Sequence, residues 1–283
     1  MPNIGLVLSG GFAKGAYQIG VLKALKEFIP NEQIKYISAS SVGTLNAYAF
    51  AHDELDIAEN MWRKLEFSGL RSFYKAYARG SYIADVVNEI ASESNIPQSH
   101  LYVSCLNITN FKLNYINLKE VDPRHVDDYL LASVMIPVLS RAVEISGAKY
   151  LDGAIVDNIP VKPLLKHPLD YGIVVHFDND NYIFENDHFD SKLIKINFLD
   201  DKIIKTSLAF DRDSISYMIT SGYEKSMALF DIIFKNGTDD LEYIYQKIQF
   251  TNDLRGKKSF RLTGDVVLNN LNKAVKKIIK YKI

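Results

Sequence analysis

The sequence predicts an α/β fold, and three observations point to it. The apolar run Ile4 to Leu8 passes through Ser9, Gly10 and Gly11 into a stretch with Ala16, Ile19, Val21, Leu22 and Leu25 at helical spacing. Tyr36 to Ala47, reading YISASSVGTLNA, repeats the order of strand, tight turn and helix. Two further runs, Gly172 to Phe177 (GIVVHF) and Leu193 to Phe198 (LIKINF), read as buried strands. With 283 residues, 47% hydrophobic and 24% charged, the chain can bury a sizeable core.

The first turn brings backbone N–H groups to a helix N-terminus, where they can face an anion. A dinucleotide site needs a second glycine where Phe12 stands, and a phosphate loop needs lysine where Ala16 follows Gly15. Both nucleotide readings therefore fail at a named residue. An oxyanion hole built from the backbone near Gly10, Gly11 and Phe12 asks for less, as does a glycine turn that merely packs tightly.

In the second turn, Ser41 stands at the apex between Ala39 and Gly43. A serine on a sharp strand-to-helix turn is pushed out at the carboxyl edge of a sheet, and the positions two before and two after it must be small. The usual elbow reads G-x-S-x-G, and this one is a methyl group away from it. The alternative is an ordinary loop in which Ser41 caps the helix from Leu45 to Phe50.

Leu55 to Leu65 reads as an amphipathic helix holding the only tryptophan, Trp62. Residues 67–83 mix aromatics with Arg71, Lys75 and Arg79, which suits a lid or lipid-contacting segment, or a helix with a solvated basic face. Leu101 to Ile108 and Phe111 to Leu118 form strands about a hairpin at Thr109 and Asn110, and Asp127 to Met135 is a short helix ended near Pro137. Val143 to Ile145 and Lys149 to Leu151 flank a turn at Ser146 and Gly147 and lead into Asp152-Gly153-Ala154. On its own Asp152 is a turn-forming aspartate, although an aspartate fixed in a turn after a strand can serve a serine as base where the site is dry.

Asp178, Asp180, Glu185, Asp187 and Asp190 read as a solvated acidic loop, since the stretch lacks the glycine and spaced glutamate of a calcium loop. Asp213 to Phe234 reads as a long helix interrupted at Gly222, and Leu241 to Ile248 as another. From Arg255 onward nine lysines and arginines face one acidic residue, Asp265, and Val267, Leu271, Val275, Ile278 and Lys282 fall on helical spacing. That predicts a basic amphipathic helix over 265–283, docked on the domain, lying on an anionic membrane or binding a partner. No repeat or linker divides the chain, which is read as one domain over 1–283.

The formal charge of −1 gives no overall pull toward nucleic acid, and no nucleic-acid partner is expected. No apolar run reaches the length of a membrane span, and the first residues lack a signal peptide's pattern, so a cytoplasmic location is expected, with peripheral membrane contact allowed. The single cysteine, Cys105, sits in an apolar run as a buried thiol. None of the six histidines lies in a catalytic motif; His52, His100 and His125 read as surface or packing residues.

SGGFAKGAYQIGVLKAL followed by ISASSVGTLNA and then by DGAIVDNIPV resembles the patatin-like phospholipase family. The segment with Ala132, Ser133 and Pro137 and the late stretch SGYEKSMALF are similar to it as well. The resemblance implies a three-layer α/β/α fold with a mostly parallel central sheet. It also implies an acyl hydrolase that cuts phospholipids or lysophospholipids with Ser41 and Asp152 as a dyad, without cofactor or metal. Gly10, Gly11 and Phe12 then supply the oxyanion hole. Phe12, Lys14 and Ala39 depart from the family's glycine, arginine and glycine. A catalytically weak relative that binds lipid or a protein partner is the alternative.

Overall fold

The computed structural model describes all residues except 66–71, 73–74, 76–77, 79–80, 92–96, 179, 199–207, 257 and 281–283. Most of the aromatic and basic segment 67–83, and Lys282, thus lie outside the described residues.

One sheet is built from β1 (Ile4–Leu8), β2 (Ile34–Ala39), β3 (His100–Asn107), β4 (Lys112–Asn117), β5 (Val143–Ile145), β6 (Ala148–Asp152), β7 (Tyr171–His176) and β9 (Leu193–Asn197). Its order is β5-β6-β3-β2-β1-β7-β9, with β4 paired to β3. The run from β3 through β2, β1 and β7 to β9 is parallel, whereas β4, β6 and β5 join antiparallel. Strand β8 (Asn181–Phe184) pairs with β10 (Lys258–Arg261) in a separate two-stranded ribbon.

The helices are α1 (Gly15–Phe28), α2 (Val42–Ala51), α3 (Leu55–Lys64), α4 (Ser81–Ile90), α5 (Val126–Val134), α6 (Asp187–Asp190), α7 (Arg212–Ile233), α8 (Leu241–Asp253) and α9 (Thr263–Lys280). All five residues of β1 are buried, because both faces of the central strand are covered. Ile4, Leu6 and Leu8 join the large core beneath α1, α2 and α7, while Val7 joins a smaller core with Leu164, Val174 and Phe184 on the other face. The period of two in β1 therefore separates the layers.

Two expectations change. Helix α7 runs unbroken through Gly222. A Cβ at Gly222 would run into the Tyr17 carbonyl, and one at Gly20 into the Ile219 carbonyl, so this glycine pair lets α1 and α7 cross at backbone distance rather than stopping a helix. The acidic stretch is not a plain solvated loop either, since it contains β8 and α6. Its Asp190 is buried and pairs with the buried Lys195 at 2.6 Å, and it also accepts the Phe184 N–H at 2.9 Å.

Among the described residues, no helix is long and apolar enough to cross a membrane.

Candidate functional site

Strand β2 stops at Ala39, and the chain turns through Ser40 and Ser41 into α2. Ser41 has φ 54° and ψ −136°, a backbone conformation that costs an L-residue about 1–3 kcal/mol and persists only where its surroundings impose it. Here they do. The Ser40 N–H donates to the Leu8 carbonyl at 3.1 Å, and the Ser40 hydroxyl lies 2.6 Å from that of Ser104 and donates to the Asp157 carbonyl at 3.2 Å. A Cβ on Gly43 would sit 2.7 Å from the carbonyl oxygens of both Leu8 and Ser9, so only glycine fits there.

Asp152 reaches the same place from the other direction. Along β3, Val103 is opposite Ala39 and Cys105 is opposite Asp152. Strand β4 occupies the other edge of β3 from Tyr102 to Asn107, overlapping both stretches, so β2 and β6 share one edge and meet end to end. Ser41, two residues past Ala39, therefore arrives at the level of Asp152. The Ser41 side chain lies close enough to the Asp152 carboxylate to favour its ionised form. The Ala154 N–H also donates to Asp152 Oδ1, at 2.8 Å. Burial pushes the Asp152 carboxyl up to about 7, against the lowering effect of the nearby Ser41 side chain and of the Ala154 N–H.

The glycine turn closes the third side. Gly10 and Asn158 clamp each other: the Gly10 N–H donates to the Asn158 carbonyl at 3.3 Å, and Asn158 Nδ2 donates to the Gly10 carbonyl at 3.2 Å. A Cβ on Gly10 would lie 2.8 Å from Ser41 Cβ. The Gly11 N–H donates to no group among the described residues. Phe12 follows with φ 52° and is 38% exposed at the rim.

Gly10, Gly11, Phe12, Ser41 and Asp152 thus share one cleft of about 450 Å³, with Pro137 and Phe177 as apolar walls. No described histidine lines it. A larger groove of about 630 Å³ beside α6 and α8 contains none of these five residues.

A buried network behind the cleft escapes sequence reasoning. Arg261 of β10 donates to Asp157 Oδ1 at 2.7 Å and to the Ile159 carbonyl at 3.1 Å. The Tyr115 hydroxyl donates to Asp157 Oδ2 at 2.6 Å. Residues Asp157, Asn158 and Ile159 therefore tie together the elbow, the glycine turn and a C-terminal strand. The DNIP stretch hints at such a turn, but nothing in the basic run around Arg261 distinguishes this arginine from the other basic residues in the sequence.

Among the described residues, no group of three or more His, Cys, Asp or Glu side chains could hold a metal. Cys105 is buried on β3 with its thiol pushed well above the usual range, by burial first and the nearby Asp152 second.

Residues 6–165 match the family model described as patatin-like phospholipase. Lysophospholipase nte1 of Aspergillus terreus is 29% identical over 173 residues, which is 56% of this chain and 11% of that protein. Lysophospholipase NTE1 of Cryptococcus neoformans is 29% identical over 207 residues, 67% of this chain and 12% of the relative. The chain therefore corresponds to about a tenth of the length of these relatives. Among solved structures, the crystal structure of VipD from Legionella pneumophila superposes with a TM-score of 0.49 at 14% identity, over 82% of this chain and 67% of that one.

Proposed function

Because the chain belongs to the patatin-like phospholipase family, we propose that it is a carboxylic ester hydrolase releasing fatty acid from phospholipids or lysophospholipids, with Ser41 as nucleophile and Asp152 as general base. The observation that carries this reading is the meeting of the Ser41 side chain, in one cleft, with a buried carboxylate whose basicity burial has raised to about 7. An ordinary aspartate is too weak a base for a serine hydroxyl, and raising its pKa toward neutrality is what general-base work requires.

Asp152 takes the hydroxyl proton as Ser41 Oγ bonds to the ester carbonyl carbon. The oxygen of the resulting tetrahedral adduct is held by N–H groups of the turn at Gly11 and Phe12; Gly10 shapes the wall, its own N–H being engaged by Asn158. Collapse breaks the bond to the alcohol, which leaves with the proton from Asp152. Water then attacks the acyl-serine, Asp152 takes its proton, and a second collapse returns that proton to Ser41 and frees the fatty acid.

The test is fatty-acid release from a panel of phospholipids and lysophospholipids, with active-site labelling by a fluorophosphonate. Wild type is expected to turn over and to be labelled on Ser41. Ser41→Ala and Asp152→Ala are each expected to lose turnover by 1,000-fold or more, on the order seen for nucleophile and base removal. A folded wild type that binds these lipids, resists the probe and releases nothing would instead make the chain a lipid-binding relative.

A further inference from the structure

We propose that the outer face of helix α9 is a docking surface for anionic phospholipid bilayers. Charge is strongly divided along the chain. From Arg255 onward there are nine basic residues and one acidic one, leaving 24 basic and 33 acidic residues before it. The C-terminal stretch therefore carries +8 and everything preceding it −9, a polarity hidden by the overall charge of −1.

The inner face of α9 is already occupied. Val267, Leu271, Ala274 and Ile278 pack with Leu106, Leu113, Ile155 and Val156, and Asn270 Nδ2 donates to the Val156 carbonyl at 3.0 Å. Lys273, Lys276, Lys277 and Lys280 point away from that stripe at 100° per residue. All four are exposed, and none forms an ion pair or hydrogen bond with a described group. Along one flank of the lysine row lie Leu268, 64% exposed, and Ile279, 46% exposed, eleven residues apart and so three turns along nearly the same line.

An unneutralised lysine row flanked by exposed large apolar side chains fits a headgroup layer over hydrocarbon. A nucleic-acid backbone would use the lysines and leave the apolar residues in water. Helix α9 is also a neighbour of the cleft, since Ile155 both packs under it and lines the cleft. The proposal rests on the phospholipid-hydrolase reading for its purpose, but binding can be measured without turnover.

The full chain is sedimented with phosphatidylcholine vesicles, with and without added phosphatidylserine. Binding is expected only to the anionic vesicles, with release by high salt. Reversing the row (Lys273→Glu, Lys276→Glu, Lys277→Glu, Lys280→Glu) is expected to weaken vesicle binding about 100-fold or more, from the contribution of each lysine near an anionic surface. Hydrolysis of a water-soluble short-chain ester is expected to be unchanged by that variant. Equal binding to neutral and anionic vesicles, salt-insensitive binding, or tighter binding to duplex RNA than to anionic vesicles would overturn the assignment. Loss of soluble-ester hydrolysis in the wild type would count against the catalytic reading and leave this one standing.

Discussion

Ala39 and Asp152 occupy the same edge of β3 two ladder positions apart, Ala39 opposite Val103 and Asp152 opposite Cys105. That register delivers the Ser41 hydroxyl to the Asp152 carboxylate. It also buries the carboxylate at the floor of the junction, with Asp152 only 3% exposed. The chemistry and its cost in stability both follow from this placement.

The pH dependence has a definite sign. The proposed base works as the carboxylate, so kcat is expected to rise as pH passes upward through about 7 and then level off. A pH–rate profile on a soluble ester checks it; a profile already flat between pH 5 and 8 would remove Asp152 from the role of base.

Stability should move the opposite way. Between about 4, where an unfolded aspartate ionises, and 7, the folded state holds a proton that the unfolded state has lost, so rising pH destabilises the fold. Asp152→Asn removes that linkage while keeping an oxygen for the Ala154 N–H. It is expected to abolish turnover and yet to unfold at a higher temperature than wild type at pH 8, by a stability gain on the order of a few kcal/mol. Thermal denaturation of both proteins at pH 5 and pH 8 measures it.

Ser41 holds φ 54° without glycine's freedom. Ser41→Gly is expected to stabilise the chain by about 1–3 kcal/mol, by relieving that backbone conformation, while Ser41→Ala keeps the strain and gains nothing comparable. Denaturant titration of the two variants separates backbone relief from simple loss of the hydroxyl.

Arg261 and Asp157 form a buried pair, 5% and 0% exposed in their side chains. Arg261→Met is expected to cost about 3–5 kcal/mol, because it leaves a buried carboxylate without its cation. Adding Asp157→Asn should recover a large part of that loss, a coupling that a double-mutant cycle reads directly. In the Arg261→Met variant, kcat on a soluble ester is expected to fall more than KM changes, since the pair holds the segment that touches Ser40 and Gly10. A strictly additive cycle would mean that the two side chains act independently.

At the crossing of α1 and α7, Gly222→Ala is expected to destabilise by more than 3 kcal/mol in spite of alanine's better helix propensity, because the added methyl meets the Tyr17 backbone. A stabilised Gly222→Ala protein would mean the helices have room to part.

Local patterns in the sequence marked many of the strands and helices and the residue types proposed for the site. The apolar run Ile4–Leu8, the small positions around Ser41 and the flexible turn at Gly10 and Gly11 are short-range requirements, and short-range requirements leave their mark on neighbouring residues. The sequence alone also marked Asp152, through a turn that needs Gly153 where Ser104 backbone approaches. Only the tertiary structure decided that β6 abuts β2 along β3, that Gly222 serves a helix crossing, that Asp190 is an interior ion rather than a solvated one, and that Arg261 reaches Asp157. Each of these depends on which distant segment comes alongside, and partners far apart in the chain meet through strand order and helix packing, which no local spacing encodes.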